Sequence, residues 1–192
     1  MRRSDERSKA GARSSRGRRW LVALALVCGL GSSGAAWIRL GLPPALSEEQ
    51  ALGRLEPTSE PRARVYVAEV PYSAGLATHA WFATRRAGID DAHRWELWQS
   101  PVGPHGHVGL DLSDPEADVG GGPTRLLHEY RGAEAEGLLE VLEQRAPAYP
   151  CRDRYRLWPG PNSNGFVRWV LDEAELPLRL PPSSFGAWWS CR

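Results

Sequence analysis

The chain has 192 residues, 24 Lys and Arg against 23 Asp and Glu, a net charge of +1, three Cys and nine Trp. That balance hides an asymmetry: residues 1–19 hold eight basic and two acidic side chains, a local +6, which leaves −5 for the rest. No basic face is left in the body to neutralise phosphates, which argues against a nucleic-acid partner, and the single lysine, Lys9, makes arginine the carrier of nearly all positive charge.

From Trp20 to Ile38 the sequence WLVALALVCGLGSSGAAWI carries no charge over 19 residues. As a helix it reaches about 28 Å, close to the hydrocarbon thickness of a bilayer. Trp20 and Trp37 mark its ends, where interfacial aromatics belong. The basic tail before it predicts a single-pass inner-membrane anchor with a cytoplasmic N-terminus and the body outside the cytoplasm. A cleaved signal peptide is the rival, because Ser33 and Ala35 resemble the small residues of a cleavage site. Either route exports the body.

Residues 39–63 read as a Pro-rich linker, with one short helix around Ser47 to Leu55. The exported domain follows at 64–192. RVYVAEV sets Val65, Val67 and Glu69 opposite Tyr66, Ala68 and Val70, a strand pattern. LATHAWFATRR is a second strand, with His79, Trp81 and Ala83 sharing one face. RWELWQS is a third, with Trp95 and Leu97 facing away from Glu96 and Trp98. A short strand spans His107 to Leu112, a Gly-rich loop follows, and TRLLHEY is a further strand. GAEAEGLLEVLEQRA is a helix whose acidic start (Glu134, Glu136) and basic end (Arg145) suit the macrodipole, and Pro147 ends it. A second helix opens near Asn162, after Pro159, Gly160 and Pro161 forbid regular structure. Strands followed by two helices predict an α+β domain with a small antiparallel sheet and two packed helices.

Four groups of residues are candidates for chemistry. Ser163 at a helix start is a nucleophile if His79 is its base and Glu96 orients the imidazole; the bland reading is that Asn162 or Ser163 caps the helix. Arg152, Arg154 and Arg156 interleave with Asp153, Tyr155 and Trp158, a set that grips a carboxylate or phosphate, or else pairs internally. His105 and His107 have chelating spacing without a defined third ligand, so no metal or other cofactor is expected. Cys151 and Cys191 either pair in an oxidising compartment or remain separate thiols. Trp188 and Trp189 close the chain and suit contact with lipid or a partner.

The motifs HAWF at 79–82, RWELW at 94–98, RGAEAEGLL and above all YPCRDRYRLWPGPNSNGFVRWV resemble the bacterial domain of unknown function family 3750. That resemblance covers roughly 64–187 and implies a membrane-associated bacterial protein without an assigned activity. HAWFA and NSNGFV also resemble the permuted papain-like hydrolases of the lecithin retinol acyltransferase group. There an early-strand His serves a nucleophile at a later helix start. This second resemblance implies a papain-like fold and catalytic roles for His79 and Ser163, although Ser163 stands where that group keeps Cys. A hydroxyl, unlike a thiol, must lose its proton during attack and needs a well-oriented base.

The resulting expectation is a membrane-anchored envelope domain, degenerate papain-like or non-enzymatic. It would bind an envelope ligand or protein partner through an aromatic and Arg-lined cleft formed by Arg152, Arg154, Tyr155, Trp158, Asn162 and Asn164. The alternative is a hydrolase or acyltransferase acting on an ester or amide with Ser163, His79 and Glu96.

Overall fold

A computed structural model describes residues 58–71, 73–100, 105–189 and 191. The expected membrane span, the basic tail and the linker helix lie outside the described residues. Within them, no helix is long and apolar enough to cross a membrane.

Five strands form one antiparallel sheet: β1 (Arg62–Glu69), β2 (Thr78–Arg85), β3 (Ala92–Gln99), β4 (Gly106–Leu110) and β5 (Thr124–Arg131), in the spatial order β4-β3-β2-β1-β5. Consecutive strands β1 to β4 pair as a meander, and β5 then returns to the free edge of β1. With two helices packed on the sheet, the class is α+β, as the order of elements predicts.

Helix α1 (Gly132–Glu140) continues through a π-helical turn, Val141–Arg145, and a short 3-10 turn before Pro150. Helix α2 (Ser163–Glu173) carries Phe166, Val167, Val170 and Leu171 inward. Both helices lie on one face of the sheet, where their apolar residues join Val65, Val67, Ala80, Phe82, Trp95 and Leu97 in the main core. This follows from alternation: odd positions of β1 and even positions of β2 point to that side.

The opposite face is buried as well, which is why all eight residues of β2 are buried. Tyr66, Ala68, Trp81 and Ala83 form a separate small cluster there. No helix covers it. Its cover is the connection between β4 and β5, roughly 111–123, and polar sheet side chains hold that connection down. Trp81 Nε1 donates to the Pro115 carbonyl at 2.8 Å, Arg94 donates to the carbonyls of Asp114 (3.1 Å) and Ala117 (2.8 Å), and Tyr66 donates its hydroxyl to Glu116 at 2.6 Å. A loop offers little apolar area, so hydrogen bonds and ion pairs carry more of its attachment than they would for a helix.

Candidate functional site

Two assemblies hold the residues singled out from the sequence. The first is a polar layer beneath the 111–123 connection. His79 Nε2 lies 2.8 Å from Glu96 Oε2. Arg94 clamps the same carboxylate, with a guanidinium nitrogen donating to Oε2 at 3.0 Å and Nε in ion-pair contact with Oε1 at 2.9 Å, although that second contact is not aligned as a hydrogen bond. The Arg94 guanidinium also sits 4.1 Å over the Trp81 ring, a cation–π contact. On its other side, the His79 imidazole stacks against Trp98 at 4.7 Å between centroids.

The electrostatics follow from that packing. Burial would raise the Glu96 carboxyl, but the His79 hydrogen bond and the Arg94 charge outweigh burial and hold it at about 2. Burial also pushes His79 below its ordinary value, against the pull of Glu96 and together with the nearby Arg94 charge. The stable state is therefore a neutral imidazole donating Nε2–H to an ionised carboxylate. That leaves the Nδ1 lone pair as the ring's basic site, and Nδ1 makes no hydrogen bond among the described residues.

Ser163 does not complete this arrangement. His79 points to the loop-covered face with Trp81, whereas Ser163 begins the helix packed on the opposite face. Of the trio expected from the sequence, His79 and Glu96 meet, while Ser163 opens the helix whose apolar residues pack with Ala80 and Phe82, on the face opposite to the one His79 joins. The reason is alternation along β2, where Ala80 and Phe82 are the residues that meet α2. No hydrogen bond joins His79 to Ser163 among the described residues.

The second assembly is the loop from Cys151 to Asn162 clasped by the chain's last segment. A Cys151–Cys191 disulfide closes it, with the Cα atoms 5.6 Å apart. Asn162 caps α2: its Oδ1 accepts from the backbone N–H of Asn164 (3.1 Å) and Gly165 (3.4 Å), while Nδ2 donates to the Leu157 carbonyl at 3.0 Å. Asn164 Nδ2 donates to the carbonyls of Thr78 and Phe185, both at 2.8 Å. Thr78 in turn bonds the hydroxyl of Ser184 at 2.8 Å. Gly186, with φ +88°, passes so close that a Cβ there would meet Asn162 Oδ1 at 2.4 Å. Only glycine fits both demands.

These contacts correct part of the expected binding set. Asn162 and Asn164 are buried; Asn162 uses both ends of its amide within the fold and Asn164 its Nδ2, while Asn164 Oδ1 is buried without a hydrogen-bond partner, and Tyr155 is buried in the main core. Burial removes all three from the exposed surface of the loop. Arg152, Arg154, Arg156, Leu157 and Trp158 are exposed. Arg152 donates to the Pro147 carbonyl at 2.8 Å, and Arg154 and Arg156 form no ion pair among the described residues.

The exposed side chains of this segment form a ridge, and on its flank Trp188 and Trp189 also line a concavity of about 210 Å³ with Trp169, Asp172 and Glu173. Leu157 is 69% exposed, Trp158 64%, Trp188 60% and Trp189 40%. Trp158 and Trp188 flank Phe185 edge-on, at 4.8 and 5.9 Å between centroids. Trp189 donates its indole N–H to the Pro159 carbonyl at 3.1 Å. The disulfide, the amide bonds and the close glycines hold the ridge rigid.

Two concavities flank the sheet near β4. One of about 620 Å³ runs between Trp95, His107, Val108 and Arg152. Another of about 430 Å³ borders the Glu96 and Trp98 end of the polar layer beside Leu112 and Asp118. His105 approaches Asp153 at 3.6 Å, while His107 lies on β4 across from Trp98. Among the described residues no cluster of three or more His, Cys, Asp or Glu has the arrangement to hold a metal ion.

Sequence reasoning missed Arg94 as the clamp of Glu96. The signal was present: in RWELW, residues two apart on a strand share a face, so Arg94 and Glu96 stand together in a buried element.

Among known proteins, the family described as Protein of unknown function (DUF3750) matches residues 61–189, most of the chain. No curated protein and no solved structure matches it. These comparisons support the resemblance to that family and supply none to the papain-like hydrolases.

Proposed function

The chain belongs to the DUF3750 family, whose description carries no activity, and from the geometry we propose that it is a membrane-tethered envelope protein whose folded domain binds a ligand or partner. The observation that carries this reading is the rigid ridge of Leu157, Trp158, Trp188 and Trp189 beside the arginines of the same loop. Large aromatic side chains held in fixed positions are costly to leave in water, and rigid ones lose little entropy on binding. Trp and Arg are also the side chains that most often dominate binding energy at interfaces.

The uncharged segment 20–38 behind a +6 tail supports a single-pass anchor in the inner membrane, with the domain outside the cytoplasm. The Cys151–Cys191 disulfide fits that side of the membrane, where thiols oxidise. A serine hydrolase is the weaker reading. Its base and orienting carboxylate are in contact, but no hydrogen bond joins Ser163 to either among the described residues.

The test is site-specific photo-crosslinking of the full chain in its native membranes. A photoreactive residue at 158 should form an adduct, while one at Ile89, which is 47% exposed and remote in sequence from the ridge, should not. No adduct at 158, or equal adducts at both positions, would remove the ridge as the binding surface.

A further inference from the structure

We infer that the ridge docks on the lipid bilayer itself, its indoles entering the interfacial layer while Arg154 and Arg156 meet anionic headgroups. This deepens the proposed binding reading and rests on it. Three observations choose a lipid surface over another occupant.

The first is the chemistry of the ridge. Trp is the side chain that settles at the boundary between hydrocarbon and headgroups, because its ring is apolar and its N–H is polar. Trp158 and Trp188 are both well exposed and belong to one aromatic group through Phe185. Leu157 adds a purely apolar side chain at the tip.

The second is charge. The body as a whole carries −5, so an anionic membrane repels most of its surface. Residues 152–158 hold three arginines against Asp153 alone. Arg154 and Arg156 are exposed and without a carboxylate partner among the described residues. A basic, aromatic spot on an acidic body fixes which side faces an anionic surface.

The third is reach. Residues 39–57 separate the uncharged span from the first described residue. Fully extended, such a segment covers at most about 65 Å. A domain of this size has a radius of gyration of about 14 Å. A domain tethered this closely meets the bilayer at high effective concentration, so a docking contact too weak to hold a free protein suffices.

The experiment uses the full chain with Trp20 and Trp37 changed to Phe, reconstituted in nanodiscs of phosphatidylglycerol and phosphatidylcholine with brominated or ordinary acyl chains. Bromine quenches only indoles that enter the bilayer. The expected result is clear quenching that falls roughly fivefold or more in a Trp158→Phe/Trp188→Phe/Trp189→Phe variant, because the remaining body indoles, Trp81, Trp95, Trp98 and Trp169, are buried or half-buried. Arg154→Gln/Arg156→Gln should weaken the quenching in phosphatidylglycerol and leave it unchanged in pure phosphatidylcholine. These positions are exposed, and an unchanged melting temperature verifies that each variant folds.

Equal quenching with and without Trp158 and Trp188 would overturn the inference. So would ridge indoles that remain fully open to aqueous acrylamide. Ridge shielding that persists in detergent and vanishes when dimers dissociate would assign the surface to a second copy of the chain and overturn it too. Alkaline extraction separates the two levels: release of the chain from membranes defeats the tether, whereas a retained chain with water-exposed indoles defeats only the docking.

Discussion

His79 and Glu96 meet at 2.8 Å on the face of the sheet that neither helix covers. Arg94 completes this contact, and the same arginine pins the 111–123 connection through two carbonyls. One carboxylate therefore anchors both an imidazole and the cover of a sheet face. Glu96→Gln leaves the buried Arg94 guanidinium without its counter-charge. The expected loss of stability is about 3–5 kcal/mol, measured by urea unfolding. A loss below about 1 kcal/mol would show that the network is not a principal support of that face.

The same pair sets how stability depends on pH. The Glu96 carboxyl lies at about 2 in the fold against 4.5 as its ordinary value. Its contribution is present above 4.5 and disappears as pH falls from there toward 2. His79 is held below 6.5 by burial, so below that pH the unfolded chain takes up the proton first and stability declines. Unfolding free energy should accordingly fall between pH 7 and 5, and again below 4.5. His79→Gln should flatten the first decline and, because the imidazole's hydrogen bond helps to hold the Glu96 carboxyl down, also shrink the second. An unchanged first slope in that variant would mean another group causes it.

Asn162 and Ser163 are neighbours with separable roles. Asn162 accepts two backbone N–H bonds and donates a third hydrogen bond to Leu157, while Ser163 Oγ makes none among the described residues. Asn162→Ala should cost about 1–2 kcal/mol or slightly more, in the range for a lost helix cap. Ser163→Ala should cost less than about 1 kcal/mol. A fluorophosphonate probe should leave Ser163 unlabelled in folded protein. Labelling that disappears in His79→Ala would restore the hydrolase reading.

The disulfide makes a third comparison possible. Cys151 and Cys191 are separated by 40 residues, and closing a loop of that length restricts the unfolded chain by about 2–4 kcal/mol. Cys151→Ser/Cys191→Ser should lower stability by that amount and increase proteolysis within 183–191. Intact mass without reduction should show one pair of hydrogens missing from mature protein. Two free thiols would remove the staple from the account.

Much of the fold is written in period-two patterns. Val65 and Val67 against Tyr66, and Trp95 and Leu97 against Glu96, are legible because a strand alternates its faces whatever it packs on. The helix starting near Asn162 is equally legible, because proline and glycine precede a capping residue and an apolar stripe. Alternation does not say which face a helix will cover. On β2 both faces are apolar, Ala80 and Phe82 on one, Trp81 and Ala83 on the other. The sequence therefore left His79 free to be set beside Ser163, and alternation turns it toward the face that carries Trp81. Nor does a polar residue reveal whether its hydrogen bonds go to a ligand or to the chain. Asn164 looks like a ligand contact in sequence, and its Nδ2 bonds Thr78 and Phe185, partners far from it along the chain. Exposure of Trp158 and Trp188 depends equally on where the last segment docks, which the terminal disulfide and Gly186 determine.

Oxidative footprinting tests the central claim most directly, comparing Trp158 and Trp188 in native membranes with the same chain purified in detergent. If the ridge is the binding surface, both indoles react several-fold more slowly in native membranes, while exposed Ile89 reacts at the same rate in each. Equal reactivity of Trp158 and Trp188 in the two settings would mean that nothing covers the ridge where the protein works, and the proposed function would fail.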